Sequence, residues 1–339
     1  MAPASNNTSG STATLSSLLP LLLVVVLSLV QAAAAWAEFD YTILASPKRS
    51  PPPPPAPGMR TPPPPPRRPV GRRTVKCTRR QFPKCFLIKA LCPLECRTNC
   101  FMDCTLCKPV CHCDRPGAIC QDPRFIGGDG ITFYFHGRRN SDFCLVTQPD
   151  LHINAHFIGK RVPGRSRDFT WVQSIGILFA GHRLLVGARK TAVWDDATDR
   201  LELAFDGEPV ELPPKQGAKW QCKYEPHISV TRTRDANGVS VEAAGHFAIS
   251  TVVIPITKED SKLHGYDITD EDCFAHLDLG FKFHCLSDDV GGVLGQTYRK
   301  NYTSKVRMGV SMPVLGGERE FATSGIFSPD CIASRFRVS

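Results

Sequence analysis

From Tyr41 to Leu94 the chain has no aspartate or glutamate, although twelve lysines and arginines fall in that interval. After residue 37 no apolar run approaches the roughly 20 residues that a membrane-spanning helix needs. No stable span is therefore expected beyond the amino terminus. Also missing are a G-x-S-x-G elbow, a Walker loop and an H-E-x-x-H pair, and with them the chemistries those motifs carry. No carboxylate pair stands out, and no acidic run has the alternating ligands, central glycine and terminal glutamate of an EF-hand. The expectation is a non-enzymatic protein without cofactor or bound metal.

The net charge of +9 over 339 residues is concentrated at one end. Outside the twelve cations of the 41–94 interval, 29 basic residues face 32 acidic ones. Residues 1–37 read as a secretory signal peptide, with an apolar core near Leu18 to Val30 and small residues at Ala35-Trp36-Ala37. An uncleaved anchor is the competing reading. Residues 38–76 form a proline-rich basic linker, extended because proline fixes its own φ and keeps its predecessor out of the helical region. The block from Ser50 resembles the Ser-Pro repeat of plant extensins. The pairs Arg67-Arg68 and Arg72-Arg73 read as solvated charge rather than processing sites.

Residues 77–120 are cysteine-rich, holding ten of the fifteen cysteines in 44 residues. Such density suits an oxidising, extracellular compartment. All fifteen are disulfide candidates: Cys77, Cys85, Cys92, Cys96, Cys100, Cys104, Cys107, Cys111, Cys113, Cys120, Cys144, Cys222, Cys273, Cys285 and Cys331. Their pairing does not follow from the sequence, and the odd total leaves at least one thiol free or joined to another chain. The four-residue repeat of Cys92, Cys96, Cys100 and Cys104 would line one face of a helix. Cys104, Cys107, Cys111, His112 and Cys113 also have spacings that suit zinc, but in a secreted chain they are expected to oxidise.

Residues 121–339 read as a β domain, so the fold class is mainly β: a disulfide-rich amino-terminal segment followed by a β-sandwich-like domain. "DLHINAHFIG" alternates, and "HISVTRTRDANGVSVEAAG" forms two alternating runs about Asp235-Ala236-Asn237-Gly238, a hairpin signal. His152 and His156 would share a metal on a helix; on a strand they lie about 13 Å apart and are expected to face solvent. Asp195-Asp196, Asp199 and the run Asp267 to Asp272 read as turn and surface acids. Asn301-Tyr302-Thr303 is a glycosylation sequon expected at the surface, and Asn6 and Asn7 match within the leader. Gly127-Gly128-Asp129-Gly130 lacks the G-x-G-x-x-G spacing of a phosphate loop, and Asp129-Gly130 reads as a hairpin turn. Cys120 and Cys144 are candidates to pin the first strands to each other or to the cysteine-rich segment.

The strings "CDRPGAICQDPRFIGGDGITFYFHG", "SDFCLV", "LHINAHFIGKRVPGRSRDFTWVQSI", "LLVGARKTAVWDD" and "GGVLGQTYRKNY" closely resemble the plant root cap family. The resemblance runs from about Cys92 to Cys331. Members often carry the label late embryogenesis abundant-related, and the resemblance implies a secreted plant protein of wall-rich tissue. A more distant resemblance links Cys120-x-Asp122-Pro123-x-Phe125 and Asp129-Gly130-x-x-Phe133-x-Phe135-x-Gly137 to von Willebrand factor type D modules. It implies a β-sandwich in an adhesive extracellular setting. That module's paired-cysteine glycine motif is replaced at Gly291 and Leu294, and Thr297 to Arg307 has no acid to bind calcium. The expected function is a structural or polysaccharide-binding protein of the cell wall or mucilage. An acidic wall polysaccharide is the expected partner, drawn by the basic arm, and no nucleic acid is expected. The alternatives are a disulfide-linked, self-associating matrix component and a wall-modifying carbohydrate-active enzyme.

Overall fold

Alternating apolar residues direct successive side chains to opposite faces of a strand, and that pattern shapes the protein. The structure, a computed structural model, describes residues 72–337 apart from Thr98. The leader, Asn6, Asn7, Arg67-Arg68 and the linker up to residue 71 lie outside the described residues.

The cysteine-rich segment gives two short antiparallel ribbons. One pairs β1 (Thr74–Lys76) with β2 (Lys89–Leu91), the other β3 (Cys100–Asp103) with β4 (Lys108–Cys111). Its last strand, β5 (Ala118–Cys120), already belongs to a large sheet, followed there by β6 (Arg124–Ile126) and β7 (Thr132–Tyr134). A seven-stranded sheet then runs through β8 (Ser141–Gln148), β9 (Leu151–Lys160), β10 (Phe169–Phe179), β11 (His182–Ala188), β12 (Leu201–Phe205) and β13 (Glu208–Pro209). The chain crosses to the larger sheet for β14 (Lys219–Gln221), β15 (Ile228–Arg232), β16 (Gly238–Ala243), β17 (Phe247–Ile254) and, after helix α1 (Lys258–His264), β18 (His276–Phe283). Helix α2 (Glu318–Phe321) leads into β19 (Ala322–Thr323), which pairs with β8. The eight-stranded order is β14-β15-β16-β17-β18-β5-β6-β7.

The two sheets share one core. Ile153, Ala155 and Phe157 of β9, Ile175 and Ile177 of β10, and Val186 of β11 meet Val230, Val241, Ile249 and Leu279 from the other sheet. The mainly β, sandwich-like fold expected from the alternation is thus present. Two turns read from the sequence are also in place. Gly130 has φ 79° and its N–H donates to Gly127 O at 3.0 Å, closing the β6–β7 hairpin, and Asn237 has φ 61° at the β15–β16 hairpin.

Three expectations need correcting. Cys92, Cys96, Cys100 and Cys104 do not lie along a helix. Pro93 precedes only a single 3₁₀ turn, Leu94–Cys96, and Cys100 already starts β3. Cys92 is bridged to Cys100, Cys96 to Cys111 and Cys104 to Cys77, so cross-links rather than helical spacing set their positions. His152 does not face solvent; it is fully buried. The outer side of β9 is covered by the carboxy-terminal tail, whose Gly325 and Ser328 carbonyls accept from Asn154 Nδ2 at 3.1 and 2.9 Å. Phe336 packs on the His152 ring. His156 is half-buried, and its Nδ1 is hydrogen-bonded to Asp142 Oδ1 at 2.8 Å.

The third correction concerns Cys222, Cys273 and Cys285, which carry no disulfide. Cys222 follows β14 and Cys285 follows β18 at the same end of the strands but four strands apart, about 19 Å. Cys273 lies before β18, a strand length of about 26 Å away from Cys285. Bridged cysteines need Cα atoms within about 7 Å.

Candidate functional site

On its outer face the larger sheet presents small residues where three neighbouring strands meet. Ser240 of β16 is paired with Ser250 of β17, and Ser250 with Gly280 of β18. The 3₁₀ turn His112–Asp114 and Arg115 settle on that shallow place. Built onto Gly280, a Cβ would stand 2.7 Å from the His112 ring and from the Arg115 guanidinium, so only glycine admits this approach. Arg115 NH2 donates to Ser250 Oγ at 2.9 Å, and its guanidinium lies 4.9 Å from the centre of the Phe101 ring.

This docking leaves a groove of about 710 Å³ between the cysteine-rich ribbons and the sheet. Its cationic walls come from distant parts of the chain: Arg73 and Lys76 with Arg79, then Arg115, then Arg234 and Lys282. Glu242 is the one carboxylate lining it among the described residues. Arg73, Lys76, Arg79, Arg115 and Lys282 form no ion pair among the described residues. Burial lowers the pKa of Arg115 and of Arg234, but arginine stays protonated in proteins. Burial also pulls His112 down to about 4, with Arg115 adding to the shift. The positive charge is therefore that of the lysines and arginines. Two buried polar atoms in the groove have no partner, Arg115 Nε and Thr251 Oγ1. A surface of this kind can hold an anionic chain by charge and by hydrogen bonds from its rim.

The cysteines serve this architecture. Cys77–Cys104, Cys85–Cys107, Cys92–Cys100 and Cys96–Cys111 tie the ribbons together. Cys113–Cys120 fastens the 3₁₀ turn to β5, and Cys144–Cys331 fastens β8 to the carboxy-terminal tail. Cys120 and Cys144 are thus not joined to each other. Two clusters gather metal-ligating residue types, Cys144/His152/Cys331 and Cys113/Cys120/Asp278. In each, the two cysteines are disulfide partners and offer no thiolate, the form that ligates metal. The zinc spacings Cys104, Cys107, Cys111 and Cys113 are likewise bridged, while His112 Nε2 lies 3.2 Å from Ser250 Oγ.

The acidic runs form turns and ion pairs. Asp195 accepts from Ala197 N and Thr198 Oγ1, and Asp199 holds Arg232 through two bonds of 2.9 and 2.5 Å. Asp267 and Asp270 are exposed, and Asp272 Oδ1 accepts from Phe274 N. Asn301 is exposed in the loop after the 3₁₀ turn Gly295–Tyr298.

The sequence singled out Arg73, Lys76 and Arg79 as part of the basic arm and missed Arg115, Arg234 and Lys282. Lys282 had a signal: on β18 it stands between Phe281 and Phe283, on the face that alternates with the apolar one. No helix among the described residues is long and apolar enough to cross a membrane. The loop Gly291-Gly292-Val293-Leu294 pairs with β8 through Val293 N to Cys144 O at 3.0 Å and Leu294 N to Leu145 O at 2.8 Å. Gly292, at φ 92°, has no room for a Cβ against Leu145. That loop lies within a segment with a known likeness. No curated protein matches the chain, whereas residues 280–336 match the root cap family model, which supports placing the chain in the root cap family.

Proposed function

We propose that this root cap family protein is a secreted, non-enzymatic wall or mucilage component that binds acidic polysaccharide in the basic groove. The carrying observation is the groove itself: six cationic side chains against Glu242, over a sheet face kept shallow by Ser240, Ser250 and Gly280. A polyuronate chain carries a carboxylate on each residue, so several cations are met at once by one extended ligand. The acid-free arm that precedes the groove would add charge to the same contact. Six disulfides in the described residues fit an oxidising extracellular setting.

The test is retention on immobilised polygalacturonate. Charge reversal at exposed Lys76, Arg79 and Lys282 is expected to lower the eluting salt concentration, more than deletion of residues 38–71 alone. Unchanged elution of the triple variant would contradict the groove as the contact.

A further inference from the structure

On the other side of Asn99 lies a second cleft of about 680 Å³, within the range of small-molecule sites. Asn99 lines both. Its Oδ1 accepts from Arg234 in the basic groove, and its Nδ2 donates to Asp278 Oδ2 at 3.2 Å in the second cleft. The character of the two clefts differs. In the second, Arg124 pairs with Asp114 at 2.8 Å and the lining Asp122 is held by Arg167 through bonds of 2.9 and 3.3 Å, while Arg97 lines the cleft as an exposed arginine. Four carboxylates, Asp114, Asp122, Asp260 and Asp278, outnumber the two arginines in its lining, which disfavours an anion.

Three buried residues lining this cleft each keep one polar atom without a partner: Trp171 Nε1, His276 Nε2 and Asp278 Oδ1. These side chains are 0%, 1% and 6% exposed. A buried polar atom left unpaired costs about 1–3 kcal/mol, so three in one cleft point to a ligand that satisfies them. Their chemistry is specific. The indole N–H only donates. His276 Nδ1 lies 2.8 Å from Phe274 O, which fixes the proton there and leaves Nε2 to accept; burial holds the ring neutral by pulling it down to about 4. Asp278 Oδ1 accepts, and burial raises its carboxyl to about 6. Half-buried Tyr134 adds an aromatic surface at the cleft.

We infer that this cleft is a binding site for a neutral polyhydroxylated ligand, a neutral sugar residue of a polysaccharide. A hydroxyl both donates and accepts, so adjacent hydroxyls on one ring answer a donor and two acceptors together. A carboxylate would face His276 Nε2, which has no proton to give, and, above about pH 6, the negative charge of Asp278. The site is separate from the basic groove, and its test is independent of polyuronate binding.

The experiment titrates the whole protein with neutral galacto-, arabino-, xylo- and gluco-oligosaccharides, and with putrescine as a cationic control. The Trp171 indole N–H resonance is followed, assigned with Trp171→Phe. At least one sugar series is expected to shift that resonance, and 0.5 M-scale salt is expected to leave the shift unchanged. Asp278→Asn, with folding checked by its circular dichroism melt, is expected to weaken binding about tenfold. Lys76, Arg79 and Lys282 reversed together are expected to leave it as in the wild type. The inference is overturned if no sugar moves the Trp171 resonance at about 5 mM, weaker than any useful affinity. It is overturned equally if putrescine alone binds. Should Asp278→Asn fail to fold, the wild-type resonance decides by itself.

Discussion

Replacing Cys144 and Cys331 together by alanine removes the one bridge that spans the β domain. The two residues are 187 apart in sequence, and chain-entropy arguments put a closed loop of that length at about 5 kcal/mol. Both cysteines are buried, so the loss is in addition to any packing defect. The bridge has a second consequence, because the tail it anchors covers β9. Arg335 N donates to Thr147 Oγ1 at 2.9 Å, and the same oxygen lies 2.9 Å from His152 Nδ1. Burial beneath this tail pulls His152 down to about 4. Urea unfolding followed by circular dichroism should show the loss of stability, and NMR titration should return His152 toward its ordinary 6.5. A loss below about 1 kcal/mol would contradict the closure argument. A His152 that still titrates near 4 would contradict burial by a bridged tail as the cause.

Native protein should react with one equivalent of a thiol reagent, at exposed Cys285, and with three after denaturation without reductant, as buried Cys222 and Cys273 appear; any other count contradicts the pairing. Gly280→Ala should cost about 1–3 kcal/mol, because its Cβ collides with His112 and Arg115, and should weaken polyuronate retention; a variant unchanged in both removes the close-approach argument. Acid should destabilise the fold between pH 6.5 and 4. His112, His136, His152 and His276 are all lowered to about 4 by burial, so in that window the unfolded chain binds protons that the folded one does not. Stability is full above the unfolded value and falls as pH drops toward 4, by up to about 3 kcal/mol per histidine. Asp278, raised to about 6, acts in the opposite sense as one group against four. Urea midpoints that stay flat from pH 7 to 4 would refute this.

Local features were legible in the sequence because local chemistry decides them. Asp129-Gly130 and the Asp235 to Gly238 run carry residues that tolerate positive φ, and they form hairpins. Alternation marked β9, β15 and β16 because one face of each meets the shared core. What the sequence concealed depends on distant partners. The spacing of Cys92, Cys96, Cys100 and Cys104 is helical on paper, but three bridges, one of them between Cys92 and Cys100, overrule it. His152 reads as solvent-facing on an alternating strand until a tail nearly two hundred residues later covers it. In β10 a bulge between Val172 and Ser174 changes which face the side chains present. Phe169 and Trp171 therefore leave the main core for a second cluster with Ile256 and Tyr266, beside the second cleft. The groove was half legible: Arg73, Lys76 and Arg79 stood out as charge, while Arg115, Arg234 and Lys282 join them only when β5, β16 and β18 come together.

The most direct measurement of the groove's role is NMR mapping of the Arg115 Nε–H as oligogalacturonate is added at low and at high salt. Arg115 is suited to this because its Nε is buried in the groove without a partner. The account predicts a saturable shift of that resonance at low salt that fades as ionic strength screens the charges. Saturable binding of oligogalacturonate that leaves the Arg115 resonance still, and moves only resonances elsewhere, would contradict it.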